Sequence, residues 1–108
     1  MAQDFERSIQ RNVGTSAVTV RTANSDDALV GINVANVHTS QITVDVFIND
    51  GSNDYYIVKA APIPVGSALQ VLDGGAKVVM QNADVLKVQA SVDNSADVWV
   101  SVVDAIST

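Results

Sequence analysis

Apolar and polar residues alternate along most of this chain, and apolar positions never recur at helical spacing for long. A period of two places successive side chains on opposite faces of a strand. "SAVTVRT" puts Val18 and Val20 on one face, with Thr19 and Arg21 on the other. The polar cluster "ANSDD" makes a turn, and "ALVGINVAN" follows with Val30, Ile32 and Val34 opposite Gly31, Asn33 and Ala35. In "QITVDVFIN", Ile42, Val44, Val46 and Ile48 point inward, while Thr43, Asp45, Phe47 and Asn49 point outward. "NDGSND" is built on Asp-Gly, a strong hairpin signal, and leads into the strand "YYIVKAA". "SALQVLD", "AKVVMQ", "DVLKVQASVD" and "DVWVSVVDAI" complete the set.

About twenty valines, with isoleucine and threonine, make the chain rich in β-branched residues that suit a pleated, half-buried surface. Pro62 and Pro64 belong at an edge or a strand end, since proline cannot donate to a ladder. Ile63-Pro64-Val65-Gly66 suits a type I turn, Asp73-Gly74-Gly75 a tight hairpin, and Asn82-Ala83-Asp84 a further reversal. Most connectors are too short for a crossover helix. The pattern predicts an all-β domain: one antiparallel β-sandwich of about eight strands, immunoglobulin-like or jelly-roll-like. Residues 13–108 form that sandwich in this reading, and residues 1–12 a separate N-terminal arm, either one helical turn or extended.

At 108 residues the length fits one domain. Cysteine is absent, which excludes disulfides and thiolate metal sites. Only 17% of residues are charged, fewer than an isolated domain usually carries, as suits a surface packed against other proteins. A net charge of −6, with the three lysines and three arginines scattered, argues against nucleic acid. No apolar run is long enough to span a membrane. "MAQDFERSIQRN" has acid and polar residues where a signal peptide needs a basic start and an apolar stretch, which predicts synthesis in the cytoplasm.

The candidate chemistry is thin. His38, beside Ser40 in "ANVHTS", reads as a surface loop histidine and not as part of a catalytic triad. "NDGSND" lacks the glycine position and the terminal glutamate of a calcium loop, and Asn and Asp are ordinary turn formers. Gly74-Gly75 precedes a strand and not the helix that a phosphate cradle needs. The reading is therefore of a non-enzyme with no catalytic residue, cofactor or metal.

The aromatics carry more. Trp99 lies opposite the face of Val98, Val100 and Val102, and Phe47 is similarly placed on its own strand, so both need a cover. Adjacent Tyr55 and Tyr56 point to opposite faces. A protein interface is favoured over a sugar-stacking platform, because aromatics concentrate at interfaces. Candidate interface residues are Phe5, Arg7, Ile9 and Arg11 in the arm, and Phe47, Tyr55, Tyr56 and Trp99 on the sheets.

"APIP.GSAL", "DGG.K.V" and "D.LKV", with the closing "ADVWVSVVDAIST" and the opening "DFERSIQRNVGTS", resemble a small virion protein family of tailed bacteriophages, especially contractile-tailed phages of marine cyanobacteria. That resemblance implies a β-sandwich accessory component of the head, neck or tail, and no catalytic residues. The leading expectation is a capsid decoration or cement protein in the virion, bound to capsid or other virion proteins. A homo-oligomer is expected, and a trimer would match a shell's local threefold axes. The alternatives are a neck, tail or fibre-attached component, or a module binding host glycans.

Overall fold

The computed structural model describes residues 4–72 and 77–105, all of them strand or loop. The strands are β1 (Asp4–Val13), β2 (Val18–Thr22), β3 (Asp27–Asn36), β4 (Ile42–Asn49), β5 (Asp54–Ile63), β6 (Ala68–Leu72), β7 (Val78–Met80), β8 (Val85–Ala90) and β9 (Ala96–Asp104). One sheet has the order β1-β9-β3-β6, with β7 also on β3; the other has the order β2-β8-β4-β5. Every pairing is antiparallel.

Strands β6 and β7 lie one after the other along the same edge of β3, Ala68–Leu72 beside Ile32–Ala35 and Val78–Met80 beside Asp27–Leu29. They are two halves of one interrupted strand and not the arms of a hairpin. The Asp73-Gly74-Gly75 turn itself falls outside the described residues. Counting them as one strand leaves eight in two four-stranded sheets, and the chain order is that of a jelly roll. An immunoglobulin order would pair the first strand with the second in one sheet, whereas β1 and β2 here lie in different sheets.

The two inner faces meet in a core of Val, Ile and Leu. Val98, Val100 and Val102 from β9 share one core with Val44, Val46 and Leu86 of the other sheet, all almost fully buried. The register on β3 differs from the simple pattern. A bulge between Leu29 and Gly31 inserts Val30 as an unpaired residue, so Leu29 enters the core and Val30 is only half-buried. The arm segment is extended and not helical: over Asp4–Val13 it is the edge strand β1, paired along β9.

Local turn chemistry holds the loops. In the β4–β5 hairpin, the Ser52 and Asn53 N–H groups both donate to Asp50 Oδ1, at 2.9 and 2.8 Å, and Gly51 has φ +100°. Those two amides pull the Asp50 carboxyl below its usual range. Pro62 lies in edge strand β5, where its missing N–H costs no ladder bond. The following turn is displaced by one residue from the sequence reading. Ser67 N–H donates to the Pro64 carbonyl at 3.2 Å, and Gly66, third in the turn, has the positive φ of +76° that a type II turn requires. Buried Asn36 anchors the next loop, donating to the carbonyls of Ser40 and Ile63 and accepting from His38 N–H, each at 2.8–2.9 Å.

Candidate functional site

Pairing of β1 with β9 decides what this molecule presents to its surroundings. Phe5, Arg7, Ile9 and Arg11 share one face of β1, and Ile9 sits directly opposite Trp99 on β9. Because Val98 and Val100 are core, Trp99 and everything in step with it point outward. Five of the eight candidate interface residues are thus collected on the outer face of the first sheet. Phe5 is 85% exposed, Trp99 51% and Ile9 45%.

The Arg7 guanidinium lies 5.2 Å from the centre of the Trp99 ring, a cation–π contact. Among the described residues, neither Arg7 nor Arg11 has a carboxylate within ion-pair distance. Arg7 is paired with Ser101, two residues along β9 from Trp99. On the side toward Asp97, a cleft of about 430 Å³ opens between Ile9, Arg11, Asn33, Ala35, Asp97 and Trp99. Gln70 Nε2 donates to Asn33 Oδ1 at 2.8 Å across β3 and β6, fixing the polar floor.

The remaining three candidates lie on the second sheet. Phe47 faces outward, as its strand alternation predicts, yet it is only 4% exposed. Tyr56, directly opposite on β5, covers it with ring centres 4.9 Å apart, and the Lys59 ammonium lies 4.4 Å from the Tyr56 ring centre. Phe47 therefore has little surface left to offer a partner. Tyr55, at the hairpin end, is exposed and apart from this cluster. The β1–β9 group and the Phe47–Tyr56 pair thus lie on different sheets, with Tyr55 apart from both, and Tyr55 and Tyr56 stay exposed as Phe5, Ile9 and Trp99 do.

Sequence reasoning missed a polar cluster between the sheets. A register shift between Thr19 and Arg21 turns Arg21 inward, opposite core residue Leu86, although simple alternation places it outward. Its side chain is 11% exposed and reaches Asp27 Oδ2 at 2.8 Å, Glu6 Oε1 at 3.2 Å, Ser8 Oγ at 3.3 Å and Asp104 at 3.5 Å. Asp27 reads in sequence as part of a turn, but it opens β3 and is completely buried. Burial favours the neutral form of Arg21 and lowers its pKa, but Asp27 and then Glu6 hold the guanidinium charged and raise it above its ordinary value.

Asp27 Oδ1 meets no hydroxyl or N–H donor among the described residues. Asp104 lies beside it, and the two carboxyls influence each other's protonation. Burial foremost pushes Asp27 up, against the hydrogen bond from Arg21, whereas neighbouring Asp27 and then the Ser25 hydroxyl at 3.0 Å hold Asp104 down. Asp4 also joins this end of the sandwich, its carboxylate within 4.8 Å of those of Glu6 and Asp104. His38 is half-buried in its loop, its backbone tied to Asn36, and belongs to neither cluster.

No family model matches the sequence, and no curated protein matches it significantly. Two solved structures share its fold. One is a chain from the acid-stable capsid of Helicobacter pylori bacteriophage KHP30, with 11% identity, a TM-score of 0.61, and 95% of this chain aligned to 87% of that one. The other comes from Bacillus endospore appendages, a family of disulfide-linked pili, with 14% identity, a TM-score of 0.56, and 94% of this chain aligned to 84% of that one. At these identities the likeness is one of fold. This chain has no cysteine, so the disulfide linkage of those pili has no counterpart in it.

Proposed function

We propose that this chain is a non-enzymatic structural subunit of a phage virion, and specifically a capsid decoration protein that docks on the shell through the outer face of β1 and β9. The observation that carries this reading is the exposed patch of Phe5, Ile9 and Trp99 flanked by Arg7 and Arg11. Tryptophan and arginine are the residue types that dominate binding energy at protein interfaces. An acidic chain in which two of the three arginines, both on this patch, have no acid partner among the described residues is equipped for a partner surface offering carboxylates. The likeness in fold to a capsid chain supports the same reading, as does the low charge of the whole surface. Synthesis in the bacterial host followed by assembly onto the particle completes the proposal.

The test is incorporation into particles. Phe5→Ser and Trp99→Ser remove exposed side chains and should leave the unfolding transition in place while reducing the copies bound per particle. Deleting residues 1–12 is a poorer test, because it strips β1 from β9 and exposes a central strand. Undiminished incorporation of Trp99→Ser would refute docking through this face. Copy number separates a shell protein from a neck, tail or fibre-attached part, the former running to hundreds per particle, on the order of the symmetry-related positions available.

The cleft beside Trp99 favours one second reading, a module binding host glycans, since it joins an aromatic platform to Asn33, Asp97 and Arg11. In that case Trp99→Ala lowers adsorption to cells and leaves particle composition unchanged.

A further inference from the structure

A jelly roll has four sheet edges, and an uncovered edge is a template for pairing with another chain unless something blunts it. Three edges here are blunted. Strand β5 carries Pro62, a left-handed Ala60 with φ +52°, and two register shifts against β4. The β6–β7 edge is broken into pieces of five and three residues. Strand β2 is five residues long and interrupted by its own register shift.

Strand β1 is interrupted only near its end, where Asn12 has φ +54° and the register against β9 shifts between Gln10 and Val13. It is ten residues long, without proline, glycine or lysine, and pairs with β9 in unbroken register from Asp4 to Gln10. Among the described residues it is laddered on one side only. Nearly all of it is exposed.

We infer that β1 is a self-pairing edge: two copies of this chain join β1 to β1 antiparallel, about a twofold axis at Ser8, into one continuous eight-stranded sheet. The occupant follows from charge. A twofold axis perpendicular to the sheet keeps the outer face outer, so residues opposed across it must come from the same face of β1. This leaves registers centred on a residue. Centring on Glu6 opposes Glu6 to itself, and centring on Arg7 opposes Arg7 to itself. Centring on Ile9 opposes Arg7 to Arg11 twice. Like charges directly opposite are destabilising.

Centring on Ser8 opposes Phe5 to Arg11, Glu6 to Gln10, Arg7 to Ile9 and Ser8 to Ser8, with no like charges facing. A parallel in-register pairing would stack Asp4, Glu6, Arg7 and Arg11 each on its own copy. Centring on Gln10 also avoids like charges, but it overlaps only residues 7–13, whereas the Ser8 register overlaps residues 4–12 and is the one in which this strand complements itself most fully. It also places both Trp99 patches on one side of the joint sheet, three strand spacings or about 14 Å apart. Shell docking would then be bivalent, but the pairing does not depend on that reading. The assembly is a closed dimer, in place of the trimer expected from shell geometry.

The absence of native cysteine makes the test clean. Ser8→Cys changes one atom and should form a covalent dimer under mild oxidation, because its twin lies directly across the axis. Ser52→Cys, on the β4–β5 hairpin, is the control. Light scattering of the unmodified chain should give a dimer mass. Ile9→Lys places a lysine opposite the partner's Arg7 twice and should weaken the dimer about tenfold. Ile9→Glu places a carboxylate there and should weaken it not at all. A trimer mass, Ser8→Cys linking no faster than Ser52→Cys, or equal weakening by Ile9→Lys and Ile9→Glu would each overturn the proposal. None of these readouts involves particles, so failure of shell docking is recorded separately.

Discussion

Replacing Arg21 by methionine tests the polar cluster that ties β1, β2, β3 and β9 together between the sheets. The cost can be divided among its contacts. Glu6 is 41% exposed, so its ion pair is screened and contributes under about 1 kcal/mol. Asp27 is fully buried and receives Arg21 Nε–H at 2.8 Å. Removing one partner of a buried pair typically costs about 3–5 kcal/mol. The lower end applies here, because Asp27 is already pushed toward its neutral form by burial. We expect Arg21→Met to lose about 3 kcal/mol at pH 7, which is about 12 °C in midpoint for a domain of this size.

Urea and thermal unfolding followed by circular dichroism measure this directly. The loss should shrink as pH falls, because the Asp27 pKa is raised by burial and a protonated Asp27 leaves no buried charge for Arg21 to pair. Combining Arg21→Met with Asp27→Leu should restore most of the stability, since a buried pair replaced by apolar residues leaves no unpaired charge. A loss below about 1 kcal/mol for Arg21→Met at pH 7, or an equal loss for Glu6→Gln, would refute the assignment of the cost to Asp27.

The remaining predictions concern pH and backbone. Asp27 has a raised pKa in the folded state, so its contribution is complete below about pH 4 and is lost as pH rises toward the raised value. Asp27→Asn should therefore gain on the unmodified chain as pH rises from about 4, in urea midpoints taken across that range; a pH-independent difference would contradict the burial argument. Asp104 and Asp93 are shifted down, so the stability they contribute is present above the usual carboxylate range and is lost as pH falls through their lowered values. At Gly14, a Cβ would lie 2.6 Å from Asp93 Oδ1 and 3.1 Å from Asp93 Cα. Asp93 Oδ1 accepts from both the N–H and the hydroxyl of Thr15, so Gly14→Ala should break this link and lower the midpoint of chemical denaturation.

Sequence by itself determined most strand positions, the outward aim of Trp99 and Phe47, and the Asp50-Gly51 hairpin, because each rests on local chemistry. Side-chain alternation needs only neighbouring residues, and so does an Asx-type turn. Strand β1 was illegible as a strand for the complementary reason. Neither of its faces is apolar: Phe5 and Ile9 alternate with arginines on one side, while Glu6, Ser8 and Gln10 occupy the other. Only the β9 backbone makes it a strand, and only that pairing gathers Phe5, Arg7, Ile9 and Arg11 beside Trp99. The bulges at Val30 and after Thr19 were equally hidden, since an inserted residue reverses every later facing without any mark in composition. They decide that Leu29 is core and that Arg21 meets Asp27. The choice of jelly roll over an immunoglobulin order was likewise tertiary, because strands of the same length and period serve both, and only non-local pairing separates them.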